Sequence, residues 1–248
     1  MILTKKKDEL SILIIDDYIS FLKHAKDKRF TFFRVKDSKY ITSSHHNIIL
    51  RHDIDLSLKE AFRMAEMEAK ENIYSTYYVM VDGQYYNILE PENIDYLKKI
   101  KNMGHEIGLH FDISNYRNIQ HQIKILEAII EDKVFSIAQH TPVNIGFFKK
   151  DIPNIIDAYT LTEHIPNLEY ISDSGMMWRD YTFEEGLNLG KNLYLLAHPI
   201  SWLNPKNSLI SIIKEIKTIE IENRKNSFNR FLDGQIEYYK IRKKASDK

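Results

Sequence analysis

The chain has no cysteine, which excludes disulfide bridges and thiolate chemistry and leaves the compartment open. It has no excess of charge: 35 Lys+Arg balance 35 Asp+Glu, so no overall basic field draws in nucleic acid or a membrane surface. It also lacks a long apolar run near its start. The longest there, Ile12 to Ile15, is too short for a membrane span or an export signal, and the first ten residues put charge where such a signal needs apolar side chains. A cytoplasmic protein without a membrane span is therefore expected. Glycine and proline are scarce, eight and six in 248 residues, and no Pro/Gly/Ser-rich stretch breaks the chain as an inter-domain linker would. The remainder, 43% apolar and 28% charged, is ordinary for a globular domain.

What is present is organised around Ile48-Ile-Leu-Arg-His-Asp-Ile-Asp55. An apolar run leads into two carboxylates two residues apart, which point to the same side of an extended chain. Paired acids ending a buried strand are costly unless they face a metal, a cation or solvent in a cleft. From here strand and helix alternate. Leu58, Phe62, Ala65 and Ala69 form a helical stripe, and Thr76–Met80 is a strand. Pro91 opens a helix that carries Ile94, Leu97 and Ile100 and closes at Gly104. Glu106–His110 is the next strand, Ile119, Ile123, Leu126 and Ile130 the next stripe, and Val134–Ala138 the strand after it. Residues Ile152–Tyr159 read as a short helix, and Leu168–Ser172 and Leu193–Ala197 as the last strands. Such βα repeats predict an α/β fold of parallel strands covered by helices.

Residues 1–47 read as an extension packed on this barrel. It holds a helix with Tyr18, Phe21, Leu22 and Ala25 inward and Asp16 and Asp17 as N-terminal caps. A strand at Phe30–Val35 and a polar loop at Ser38–Asn47 follow. The barrel is expected over 48–203. Over 204–248, Leu209, Ile212, Ile213 and Ile216 indicate one or two terminal helices packed on the outside, with the whole forming one globular domain.

The unusual polar residues share one position. Asp53 and Asp55, His110, His140, Asp173 and His198 each end or follow a strand, and in parallel α/β barrels those strand ends converge on one mouth. Carboxylate oxygen and imidazole nitrogen suit a divalent cation such as Zn²⁺ and proton transfer beside it. Plainer readings stand beside this one: a helix cap for Asp55, a satisfied core histidine for His110, and turn chemistry for Asp173-Ser-Gly. His52, His105 and Glu106 are read as structural.

In order, the segments Arg51-His-Asp-Ile-Asp55, Gly104-His-Glu-Ile-Gly-Leu-His110, His140-Thr-Pro142, Asp173-Ser-Gly175 and Leu195-Leu-Ala-His-Pro199 resemble the motifs of the polysaccharide deacetylases, the NodB-homology family. The resemblance covers roughly residues 48–202. It implies a distorted, incomplete (β/α) barrel and metal-dependent removal of acyl groups from glycans. It also implies Asp53 as general base, Asp55 and His110 as metal ligands, His198 as general acid and Asp173 as the acid that orients it. Two positions depart from the family pattern. Ser114 stands where a second metal-binding histidine is usual, and His140 where an arginine usually holds the base. His140 is expected to supply the missing nitrogen and Arg51 to take over the tether, with Asp112 or water as the alternatives for the third ligand. Trp178, Arg179 and Trp202 follow two of the motifs; aromatic rings stack on sugars and arginine pairs with carboxylate or phosphate, which makes them candidate substrate contacts.

The expected function is a metal-dependent hydrolase, Zn²⁺ being the expected metal, that removes an acyl group, N-acetyl first, from a sugar. A monomeric, nucleotide-linked or lipid-linked precursor of a surface glycan is expected rather than wall polymer. A two-carboxylate glycosidase leaves the histidines unexplained. A non-catalytic glycan-binding module on a degenerate barrel is the reading that Ser114 motivates.

Overall fold

The strand that leads into the paired acids is Asn47–Ile54, β2, and all eight of its residues are buried. The computed structural model describes residues 14–41, 46–142, 146–148, 151–204 and 208–246. The first 13 residues of the N-terminal extension and residues 42–45 of the polar loop lie outside these. Around β2 run β1 (Thr31–Phe33), β3 (Thr76–Met80), β4 (Glu106–Phe111), β5 (Ser136–Gln139), β6 (Ile156–Asp157), β7 (Leu168–Ser172) and β8 (Asn192–Ala197). All pairings are parallel, in the order β6-β5-β4-β3-β2-β8-β7. Strand β1 pairs with Asn47–Ile49 of β2, and β3 pairs with Arg51–Ile54 farther along.

The sheet is curled. Arg51 of β2 donates a hydrogen bond to the Tyr159 hydroxyl, just past β6. Those strands are four places apart, about 19 Å on a flat sheet at ~4.8 Å per strand, far beyond the reach of one arginine. Among the described residues β6 and β7 do not pair, so the curl is an incomplete (β/α) barrel. The helices α1 (Ile15–Asp27), α2 (Leu58–Lys70), α3 (Pro91–Asn102) and α4 (Ile119–Ile130) accompany it. No described helix is long and apolar enough to cross a membrane.

The period of two along each strand sorts side chains to the two faces of the sheet. Ile54, Tyr77, Val79, Leu109 and Ile137 meet the apolar faces of α2, α3 and α4 outside the sheet. Ile49, Tyr78, Ala138 and Tyr194 fill the interior. The interior is tight at Gly108, where a Cβ would lie 2.4 Å from Cε1 and 2.6 Å from Cδ1 of Tyr78. Gly108→Ala is therefore expected to cost about 1–3 kcal/mol of stability through overpacking, read as a lower urea midpoint at unchanged slope.

Outside the sheet, α2 buries the charged Glu68, which accepts from the hydroxyls of Tyr18, Ser75 and Tyr77 and faces His52. Burial alone would raise its carboxyl, but His52 beside it, then His105 and the Ser75 hydroxyl, bring it from 4.5 down to about 2. A carboxyl depressed in the folded state stabilises above its ordinary value and loses that contribution as pH falls through the folded one. The urea midpoint should thus drop between about pH 5 and about pH 2, and Glu68→Gln should flatten that part of the curve.

Several local expectations change. Ile152–Tyr159 is not a helix: Ile156 and Asp157 pair with Ser136 and Ile137 of β5, and a 3₁₀ turn, Ala158–Thr160, follows. The expected strand Phe30–Val35 shortens to Thr31–Phe33, and a 3₁₀ turn, Val35–Tyr40, enters the expected loop. Asp55 does not cap α2; the Ser57 hydroxyl does, accepting from the Glu60 amide at 3.3 Å. Asp16 and Asp17 lie inside the first turn of α1 and do not cap it; the N-cap position is Ile14, without a side-chain bond. The chain divides into two compact units, Met1–Pro205 and Lys206–Lys248. The second holds a single helix, Leu209–Ser246, in keeping with the one or two anticipated.

Candidate active site

Asp53 belongs to β2 and Asp55 lies one residue beyond its end, both on the inward-facing parity of Ile49 and Arg51. His110 is the fifth residue of β4, and His140 follows β5 directly. These strand ends bring three donor atoms together. Asp55 Oδ1 lies 3.2 Å from His110 Nε2 and 3.4 Å from His140 Nδ1, and the two nitrogens are 3.1 Å apart. Zinc–ligand bonds of about 2.0–2.1 Å set neighbouring donors about 3.3 Å apart at tetrahedral angles, so this triangle fits one face of such a site. Two details agree. His110 Nδ1 donates to the Ala138 carbonyl at 2.8 Å, which leaves the Nε2 lone pair for a metal. Asp55 Oδ1 is buried with no hydrogen-bond partner. Burial alone would raise the Asp55 carboxyl, but His110 and His140, with His198 nearby, hold it well below the usual carboxylate range.

Asp53 is tethered by Arg51. The fully buried guanidinium donates to Asp53 Oδ2 at 3.1 Å and to the hydroxyls of Tyr194 and Tyr159 at 2.8 and 2.9 Å. The rings of Tyr78, Tyr159 and Tyr194 surround it at 4.5–5.6 Å. Burial works against this charge, but Asp53, followed by the tyrosines, holds Arg51 protonated. The other carboxylate oxygen of Asp53, Oδ1, is buried and without a partner.

On the far side of the mouth, His198 Nδ1 meets Asp173 Oδ1 at 2.5 Å, and His198 Nε2 lies 3.9 Å from Asp55 Oδ2. Burial disfavours the charged imidazole, but Asp173, with Asp55 and Asp53 adding to it, raises His198 to about 9. Asp173 is itself held by the Trp202 indole N–H at 2.8 Å.

Asp55, His110 and His140 are the group that could hold a metal among the described residues. Asp112, an alternative third ligand, instead accepts from the Ser114 amide at 2.8 Å. Arg179 is exposed, and Trp178 is half-buried against Phe183. Trp202 differs from its expected role: only 4% of it is exposed, its ring stacks on Phe183, and it offers no open face to a sugar. His52, His105 and Glu106 are buried in hydrogen-bond networks away from the mouth. Sequence reasoning missed Tyr159, Tyr194 and Glu68. Tyr194 carried a usable signal, because it shares strand parity with His198.

The fold is a curled α/β half-barrel, and its strand ends bring together Asp55, His110 and His140, a group that could hold a metal. No protein-family profile and no curated protein sequence matches the chain. Solved structures do match, and they are family 4 carbohydrate esterases and deacetylases. A family 4 pseudoenzyme from Bacillus anthracis aligns over 69% of this chain and 60% of its own, at 16% identity and TM-score 0.39. A Streptococcus pyogenes deacetylase in complex with acetate aligns over 56% and 68%, at 13% and 0.43. The chitin deacetylase of Colletotrichum lindemuthianum aligns over 72% and 85%, at 12% and 0.37. The chain spans about 60% of the length of the first of these. With identities under 25% and TM-scores under 0.5, function for this chain rests on its own side chains.

Proposed function

We propose that this chain is a metal-dependent hydrolase that removes an N-acetyl group from an amino sugar, with Zn²⁺ as its metal. The observation that carries this reading is the donor triangle of Asp55, His110 and His140, flanked by a tethered carboxylate and a carboxylate-backed histidine. Bound there, a divalent ion would supply Lewis acidity, polarising the acyl oxygen and lowering the pKa of a water. Asp53 Oδ1, the unpartnered oxygen, takes a proton from the attacking water while Arg51 fixes its other oxygen. The water oxygen bonds to the acyl carbon and the C–N bond breaks. The departing nitrogen takes the Nε2 proton of His198, whose Nδ1–H stays on Asp173. The products are acetate and a free amine. Arg179 suits a sugar that also carries phosphate, as nucleotide- and lipid-linked sugars do, with Trp178 beside it.

Because His198 is raised to about 9, the donor is protonated at neutral pH and loses its proton as pH rises through that value. A cation held by Asp55 offsets that carboxylate's share of the shift, so turnover should fall along an alkaline limb at or below that value. Asp173→Asn removes the charge that holds the proton, so the limb should move to lower pH in a pH–rate profile.

The test is product analysis on an oligosaccharide of N-acetylated amino sugar with zinc-loaded protein. Acetate and free amine should appear at unchanged chain length. Shortened chains without acetate would replace this reading with a two-carboxylate glycosidase, and binding without turnover with a non-catalytic module.

A further inference from the structure

We propose that His52 and Glu68, outside the barrel, are positioning residues that hold the peptide group carrying His198 in place for proton donation. This rests on the reading of His198 as the proton donor. The alternation of β2 that turns Asp53 inward turns His52 outward, where it is completely buried. Its two ring nitrogens each face an acceptor: Nδ1 the Ala197 carbonyl at 3.0 Å, and Nε2 the Glu68 carboxylate at 2.7 Å. Ala197 and His198 share one peptide plane. Its C=O accepts from His52, and its N–H donates to Asp173 Oδ2 at 2.9 Å. The plane is thus gripped at both ends, from outside and inside the barrel, which fixes the Cα from which the His198 ring projects.

Glu68 gives this grip a rigid backing. Besides His52 it accepts from Ser75 at 2.6 Å, Tyr77 at 2.9 Å and the Tyr18 hydroxyl, all in the buried layer between α1, α2 and the sheet. A second route leads to the same pair. The Tyr18 ring lies 5.2 Å from the Trp202 ring, and the Trp202 indole N–H holds Asp173. A buried polar cluster is a poor source of stability compared with apolar packing, and this one sits directly behind the proposed donor.

The test separates the two ring nitrogens. In His52→Gln the amide takes the place of Nε2 and the bond to Ala197 is lost. In His52→Asn the amide takes the place of Nδ1 and that bond is kept. Each zinc-loaded variant is assayed on an N-acetylated amino sugar, whose amine must be protonated to leave, and on 4-nitrophenyl acetate, whose phenolate leaves without a proton. His52→Gln should lower kcat on the amide at least about 10-fold at unchanged KM and leave the ester rate within about 2-fold, with His52→Asn restoring amide turnover. His198→Ala should show the same split, larger. Tyr18→Phe, which keeps the ring against Trp202 but frees Glu68 of one donor, should show it in smaller measure and decides the matter if the His52 variants do not fold. Equal losses on both substrates, or none, beside a split in His198→Ala would overturn the positioning role alone. No split in His198→Ala would overturn the donor role and this inference with it.

Discussion

Replacing Asp53 with asparagine is expected to lower turnover of an N-acetylated amino sugar by about 10²–10⁴-fold, the usual worth of a positioned general base, while one metal ion per chain stays bound. Asparagine keeps the shape and can still accept from Arg51, but it cannot take a proton from water. The atoms that could hold the metal belong to Asp55, His110 and His140, so the change leaves them in place. A second effect follows from burial. Arg51 is fully buried, and Asp53 is its counter-charge at 3.1 Å. Breaking a buried pair from one side costs about 3–5 kcal/mol, because the remaining charge is uncompensated. The hydroxyls of Tyr159 and Tyr194 still solvate the guanidinium, which sets the expectation at the lower end of that range. Asp53→Asn should thus lose activity and unfold at lower urea, and adding Arg51→Met should recover part of the stability and none of the turnover. Acetate release, metal content and urea melts check the three parts.

The second large effect is on metal binding. His140→Ala should weaken zinc affinity by more than about 100-fold, since loss of an outer partner alone costs 10–100-fold. Asp55→Ala and His110→Ala should do the same, and His198→Ala should not. The prediction is sharp at His140 because the neighbouring candidates are engaged elsewhere. Asp112 is turned to the Ser114 amide, while His140 Nδ1 sits 3.1 Å from the His110 nitrogen and 3.4 Å from the Asp55 oxygen. Titration of the metal-free variants with zinc reads this directly, and full occupancy in His140→Ala would remove that residue from the site.

Most of the strand ends were legible because the information is local. A buried strand ending in acids or histidine has a pattern that neighbours in sequence define, and period two assigns each side chain its face. What was not legible depends on distant partners. Strand β6 is two residues long, and its pairing with Ser136 and Ile137 overrides the helical spacing of Ile152–Tyr159. Tyr159 reaches Arg51 only because the sheet curls. Trp202 reads the same in sequence whether its ring faces a sugar or Phe183; its burial is set by Phe183 and Tyr18 from other parts of the chain. Glu68 belongs to no motif in the sequence, although Leu58, Ala61 and Ala65 place it on the buried face of α2 at helical spacing. A charged residue on that face was the signal to follow.

The central claim is metal-dependent deacetylation at the mouth of the half-barrel, and zinc titration of the metal-free protein with acetate release as the readout tests it most directly. Acetate release from an N-acetylated amino sugar should rise with added zinc and level off at one ion per chain. Release that is flat across the titration, or that is already maximal without metal, would contradict that claim.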